Sequence, residues 1–106
     1  MEKKIRISVS PVGKKVNRKV RIQIQGFLTV ENLDRIKEVL IDAASKNDDL
    51  EISLSKVDEM DLNFVQILYA AQKTFLSMKK RVKIGAELPE PLKNLLTSNG
   101  LLYLVS

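Results

Sequence analysis

The residues best suited to chemistry in this sequence are carboxylates and hydroxyls, because the 106-residue chain contains neither histidine nor cysteine. An imidazole base, a thiol nucleophile, a disulfide and a zinc cluster are thereby excluded. The densest acidic group is Asp58, Glu59 and Asp61. Magnesium and calcium need more oxygen ligands in a defined geometry, so a solvated acidic loop is the expected structure here. We therefore expect no metal and no cofactor.

Several hydroxyl side chains are candidate phosphate acceptors, namely Thr29, Ser55, Ser77 and Thr97. No serine has a histidine or an evident lysine base at a catalytic spacing, and the sequence has no glycine-rich phosphate loop. Ser55 is expected to end a strand and Thr29 to cap a helix, which are structural roles. The sequence therefore predicts a protein that is not an enzyme, with no catalytic residues and no small-molecule substrate.

Four short segments alternate apolar and polar residues, which predicts strands that are buried on one face. The apolar positions are Ile5, Ile7 and Val9; Val20, Ile22 and Ile24; Leu50, Ile52 and Leu54; and Val82 and Ile84. The polar residues expected on the open sheet face are Lys4, Arg6, Arg21, Gln23, Glu51, Ser53, Arg81 and Lys83. Pro11 and Gly13 separate the first two strands, so we expect an antiparallel hairpin with a basic tip from Lys14 to Lys19.

Helical spacing predicts two longer helices between these strands. The first begins at Val30, with Thr29 as its N-cap. The second runs from about Asp61 to Lys79, with Asp61 as its cap. Its core stripe is predicted to consist of Phe64, Ile67, Leu68, Ala71, Phe75 and Met78.

A short third helix is predicted from about Pro89 to Ser98, ended by Asn99 and Gly100. The apolar segment Leu101 to Val105 is either a final strand or a tail docked on the core. This order of elements predicts an α/β fold with a mixed sheet of four to five strands. An antiparallel hairpin is followed by parallel crossovers, with the helices mainly on one face. Without linkers or repeats, residues 1–106 are expected to form a single domain.

The net charge of +5 arises from residues 1–21. Residues 1–21 carry eight Lys and Arg against one Glu, whereas the remaining residues carry ten against twelve acidic residues. The predicted open sheet face has no aromatic residue for base stacking, and edge strands use lysine against aggregation. Nucleic acid is therefore not expected, and steering of an acidic protein partner stays open. The N-terminus has no long apolar stretch, which predicts no signal peptide, no membrane insertion and a cytoplasmic location.

Three landmarks in the sequence resemble the STAS family, and in particular its anti-sigma factor antagonists. They are a strand that ends in Gly26 before a helix, LEISLSKVDEMDLNF at residues 50–64, and NGLLYLV at residues 99–105. In the antagonists, the helix after the middle landmark usually opens with Asp-Ser-Ser-Gly, and its first serine is phosphorylated in regulated members. Here the tetrapeptide is Asp61-Leu62-Asn63-Phe64. The resemblance thus implies that Leu62 stands where relatives carry the phosphorylated serine.

The resemblance implies a bacterial regulatory module that binds a protein partner, such as an anti-sigma factor kinase or another signalling assembly. The alternative is an accessory subunit of a larger complex, either a lipid-transport ATPase or a chemotaxis-associated assembly. Leu62 and Tyr69, extended by Leu76, form a second apolar stripe, which is either an edge of the core or a docking surface. The residues expected to contact the partner are Asp61, Leu62, Asn63, Gln66 and Tyr69.

Overall fold

The computed structural model describes residues 4–12 and 18–98. Its strands are β1 (Ile5–Val12), β2 (Lys19–Leu28), β3 (Asp49–Met60) and β4 (Arg81–Ala86), and its helices are α1 (Leu33–Lys46), α2 (Leu62–Ser77) and α3 (Glu90–Ser98). A 3-10 turn, Val30–Asn32, precedes α1. The predicted order of elements is confirmed. Most of the basic hairpin tip, the predicted helix end at Asn99 and Gly100, and the segment Leu101 to Val105 lie outside the described residues.

The described strands form one mixed sheet in the order β1-β2-β3-β4. β1 is antiparallel to β2, with Ile7 opposite Ile24. β2 and β3 are parallel, as are β3 and β4, and their register aligns Ile22, Ile52 and Ile84. Right-handed crossovers that run the same way across a sheet place their helices on the same face. The contact between α1 and α2 agrees with this arrangement, which confirms the predicted fold class.

The core lies between one face of the sheet and the facing sides of the helices. Its most deeply buried side chains include Ile22, Ile24, Ile36, Leu40, Leu50, Ile52, Leu54, Phe64 and Leu68. Full burial of one large apolar side chain contributes about 1.5–3 kcal/mol. The polar residues predicted on the open sheet face, of which Lys4 is the first and Lys83 the last, are all exposed or half-exposed. The alternation of apolar and polar residues therefore identified both faces of the sheet correctly.

Two residues predicted to be buried are exposed. Met78 is 52% exposed because α2 ends at Ser77 and Met78 is its C-cap. Val9 is 50% exposed, and Ile5 and Ile7 are only half-buried. Among the described strands, β1 lies at one edge of the sheet and pairs with β2 alone. The helices follow β2 and β3 in the chain, so they cover β1 less completely.

The start of the first helix differs from the prediction. Thr29 makes no capping hydrogen bond, and its hydroxyl donates instead to the carboxylate of Glu31. The first turn is a 3-10 turn, and α1 itself begins at Leu33. The amide of Val30 is bonded to the carboxylate of Asp61, and the amide of Asn32 is bonded to the backbone carbonyl of Thr29. Two donors of this first turn are therefore bonded without the Thr29 side chain.

β3 is longer than predicted, and Ser55 does not end it. The strand continues to Met60. The Ser55 hydroxyl accepts hydrogen bonds from the side-chain amides of Gln23, at 3.1 Å, and Gln25, at 3.0 Å. The pairing of β2 with β3 shifts in register on both sides of Gly26. The expected loop before α2 is thus an irregular extension of the strand.

Candidate functional site

Asp61 fixes the first turn of α2. Its backbone is extended, with φ −106° and ψ 169°, and its Oδ1 accepts a hydrogen bond from the amide of Phe64 at 3.0 Å. This is the geometry of an N-cap, and such a cap contributes about 1 kcal/mol. The predicted capping role of Asp61 is confirmed. The helix start is therefore held in place by the residue immediately before it.

The second carboxylate oxygen of Asp61 makes a contact that the sequence reasoning missed. Oδ2 accepts from the amide of Val30 at 3.0 Å, and the Asp61 amide donates to the carbonyl of Leu28 at 3.1 Å. Asp61 thus joins the end of β2 and the 3-10 turn to the start of α2. Val30 and Asp61 are 31 positions apart, so no local sequence pattern indicates this contact.

The five residues predicted to bind a partner lie at the start and along the outer side of α2. Asn63 and Gln66 are exposed, whereas Asp61, Leu62 and Tyr69 are half-buried. Leu62 is therefore accessible at its surface and is not sealed in the core. Tyr69 packs partly against the core cluster. The ammonium of Lys73 lies 4.9 Å from the centre of the Tyr69 ring, within the range of a cation–π interaction.

Leu62, Tyr69 and Leu76 follow one another at intervals of seven residues, which places them on one side of α2. We call these three residues the docking stripe. Leu76 is 54% exposed at the far end of the helix. Phe64, in contrast, is completely buried, as predicted, and Val65 beside it is 1% exposed. The docking stripe therefore lies next to the buried side of the helix and reaches the surface along its length.

The outer side of α2 carries almost no charge. Lys73 is the one charged residue among the 16 of α2, whereas six of the 14 residues of α1 are charged. The exposed residues of α2 are Asn63, Gln66, Ala70, Lys73, Thr74, Leu76 and Ser77. Helices that face water usually carry charged residues on that side. Depletion of charge is instead a feature of the centres of protein interfaces.

The acidic residues before α2 do not gather into a metal site. Asp58 and Glu59 are exposed on β3, and Asp61 is engaged by two backbone amides. Within residues 4–12 and 18–98, no three acidic side chains are arranged to hold a metal ion. In the same part of the chain, no helix has the length and apolarity needed to cross a membrane.

Comparisons with known proteins identify the family. A family model described as "Mlab, STAS domain" matches residues 14–105. The chain therefore belongs to the STAS family. No curated protein matches it in sequence.

Two solved structures of SpoIIAA share the fold. The anti-sigma factor antagonist SpoIIAA in its unphosphorylated form superposes with a TM-score of 0.73 at 14% identity, over 95% of this chain and 86% of that chain. The Bacillus cell fate determinant SpoIIAA in the phosphorylated form superposes with a TM-score of 0.69 at 13% identity, over 95% and 89%. At these identities the likeness establishes a common fold.

Proposed function

We propose that this STAS domain is a non-enzymatic regulatory module that binds a protein partner through the start and outer side of α2. The observation that carries the proposal is the outer side of this helix, which combines a single charge with three partly exposed apolar residues. An interface of this kind excludes water around apolar side chains at its centre. Leu62 and Tyr69 provide the apolar contacts, and Asn63 and Gln66 provide hydrogen-bonding groups beside them.

The proposed surface is not controlled by phosphorylation at the helix start. SpoIIAA has solved structures in unphosphorylated and phosphorylated forms, so phosphorylation is a property of that relative. In this chain Leu62 takes the position of the family serine, and residues 57–73 contain no serine or threonine at all. A phosphate would add nearly two negative charges at this surface. Because no hydroxyl of this kind is present, the surface stays apolar and competent to bind.

The proposed partner is an anti-sigma factor of the kinase class or another signalling assembly, in the cytoplasm of a bacterium. The SpoIIAA relative is described as an anti-sigma factor antagonist, which supports this class. The alternative is permanent docking on a larger complex, such as a lipid-transport ATPase or a chemotaxis-associated assembly. The matching family model names Mlab, and Leu62, which cannot be phosphorylated, is suited to a permanent contact. Residues 1–106 act as one domain in either case.

Capture experiments with matched variants test this proposal. The wild-type chain, Leu62→Asp and Val9→Asp are immobilised and exposed to native cell extract, and retained proteins are quantified by mass spectrometry. Val9 is 50% exposed on β1, so Val9→Asp adds the same charge away from α2. We expect a partner that the wild type and Val9→Asp retain and Leu62→Asp loses. Equal retention by all three chains would contradict the proposal.

The identity of the retained partner separates the two candidates. A protein kinase that controls a sigma factor supports the first, and a transporter or chemotaxis subunit supports the second. A partner captured equally well after substitution of Leu62 supports neither, since its contact then lies elsewhere on the domain.

A further inference from the structure

A notch lies where the start of β1 meets the irregular part of the β2–β3 pair. Its volume is about 320 Å³. Its lining residues are Lys4, Ile5, Arg6, Gln25, Gly26, Lys56 and Asp58. None of the seven belongs to α2 or to the docking stripe. A volume near 300 Å³ is at the lower end of the range of small-ligand pockets.

Two extra residues in β3 create this notch. Ile24 of β2 aligns with Leu54, and Phe27 of β2 aligns with Glu59. Two residues of β2 therefore lie between these pairs, against four of β3. Bulges of this kind redirect side chains and are common beside functional sites. Here residues 56 and 58 lie in the irregular stretch, and both residues line the notch.

The backbone around the notch has a positive φ at two residues. Lys56 has φ +47°, in the left-handed region that a side chain disfavours. Gly26 has φ +100°, and a Cβ atom built there would lie 2.5 Å from the carbonyl oxygen of Lys4. The amide of Phe27 donates to that same carbonyl at 3.0 Å. The left-handed conformation of Lys56 persists only where the surrounding structure fixes it, and such conformations occur preferentially at functional sites.

Within the described part of the chain, the notch has an excess of positive charge that no ion pair neutralises. Lys4, Arg6 and Lys56 line it together with one acidic residue, Asp58. Ion pairs elsewhere in the described chain join the two basic residues Lys19 and Arg21 to Glu51, Lys46 to Asp42, and Lys80 to Asp48. Among the described residues, none of the ion pairs involves the three cations of the notch. Cations crowded into a concave site favour a bound anion.

We propose that this notch binds a phosphate-type oxyanion, either as inorganic phosphate or as the phosphate group of a small metabolite. Lys4, Arg6 and Lys56 supply charge-assisted hydrogen bonds to the oxyanion. Asp58 opposes the bound anion and sets an upper limit on its affinity. Binding here would give the domain a small-molecule input that is separate from the proposed partner surface on α2.

Nuclear magnetic resonance titration of the ¹⁵N-labelled chain tests the proposal. Inorganic phosphate and pyrophosphate are added at constant ionic strength, because screening weakens exposed charge interactions. We expect saturable shifts at the amides of Gly26, Lys56 and Asp58. Lys56→Gln should weaken binding at least threefold, and Asp58→Asn should tighten it at least twofold. Lys83→Gln removes an exposed cation from β4, outside the notch, and should change affinity less than 1.5-fold.

Each other outcome overturns the proposal. The absence of a saturable shift at the notch shows that it takes no oxyanion. Equal weakening by Lys56→Gln and Lys83→Gln shows a general attraction to a basic domain. A domain that binds phosphatidylglycerol vesicles but shows no saturable phosphate response recognises a membrane surface instead.

A further variant separates loss of the charge from loss of the fold. Lys56→Gly removes the cation at a position where the backbone already has the conformation that glycine prefers. Its melting temperature should be no lower than that of the wild type, while phosphate binding falls as in Lys56→Gln. Unchanged phosphate binding by a folded Lys56→Gly chain would show that Lys56 does not contribute to the site.

Discussion

Replacing Asp61 by alanine should destabilise the domain by about 1.5–2 kcal/mol. The substitution removes two hydrogen bonds at once, from the amides of Phe64 and Val30 to the carboxylate. Loss of an N-cap of this type decreases the free energy of unfolding by about 1 kcal/mol. The Val30 bond is exposed to solvent, so we assign it the lower part of the usual range, about 0.5–1 kcal/mol.

Urea unfolding followed by circular dichroism measures these losses, and a double-mutant cycle assigns them. Val30→Pro removes the Val30 donor and leaves Asp61 in place. Val30 is 60% exposed, and Thr29 before it is extended, as a residue that precedes proline should be. We expect Val30→Pro to cost about 0.5–1 kcal/mol in the wild type and almost nothing in the Asp61→Ala background.

The conservative variant Asp61→Asn completes this test. Asparagine is as good a helix cap as aspartate, but its one side-chain oxygen cannot accept from both Phe64 and Val30, so this variant should keep the cap and lose about 0.5–1 kcal/mol. An Asp61→Ala loss below about 0.5 kcal/mol would refute the reasoning. So would a Val30→Pro loss that is the same in both backgrounds, because the two residues would then act independently.

Three further substitutions have expected outcomes. Phe64→Ala should lose about 3–5 kcal/mol in chemical unfolding, because it opens a cavity at a fully buried position, and a loss below about 2 kcal/mol would contradict the described core. Gly26→Ala should lower the free energy of unfolding by about 2 kcal/mol or more, because the φ of +100° and the nearby Lys4 carbonyl leave no room for a methyl group. An unchanged free energy of unfolding would contradict this geometry at Gly26. Leu62→Ser should make the chain a substrate for a serine kinase partner. A radiolabelled phosphate transfer assay measures this, with the wild type as the control. A kinase partner that leaves Leu62→Ser unmodified would contradict the match of position 62 to the family serine.

The parts of the fold that local sequence patterns determine were predictable. Alternation identified the buried face of the sheet, and helical spacing identified α2 and the burial of Phe64. The cap at Asp61 followed from its place directly before that helix. In each case the interaction that forms the element links residues a few positions apart.

The features that were not predictable depend on contacts between distant segments. Thr29 is a good capping residue, but its hydroxyl is bonded to Glu31, and Asp61 from another part of the chain accepts from the amide of Val30. The extension of β3 past Ser55 depends on its pairing with β2 and on two shifts of register around Gly26. The exposure of Val9 results from the edge position of β1. A pattern within one segment contains none of this information.

The most direct test of the account is the affinity of the captured partner for Leu62→Asp, measured together with the stability of that variant. Leu62 is half-buried, so its loss removes about 1 kcal/mol of apolar burial. An aspartate in the first helical turn stabilises the folded state by about 0.3–1 kcal/mol, because its negative charge interacts favourably with the helix dipole. We predict that the free energy of unfolding stays within about 1 kcal/mol of wild type, while affinity falls at least tenfold, which corresponds to about 1.4 kcal/mol. An affinity within twofold of wild type, or a variant that fails to fold, would contradict the assignment of Leu62 to a docking surface.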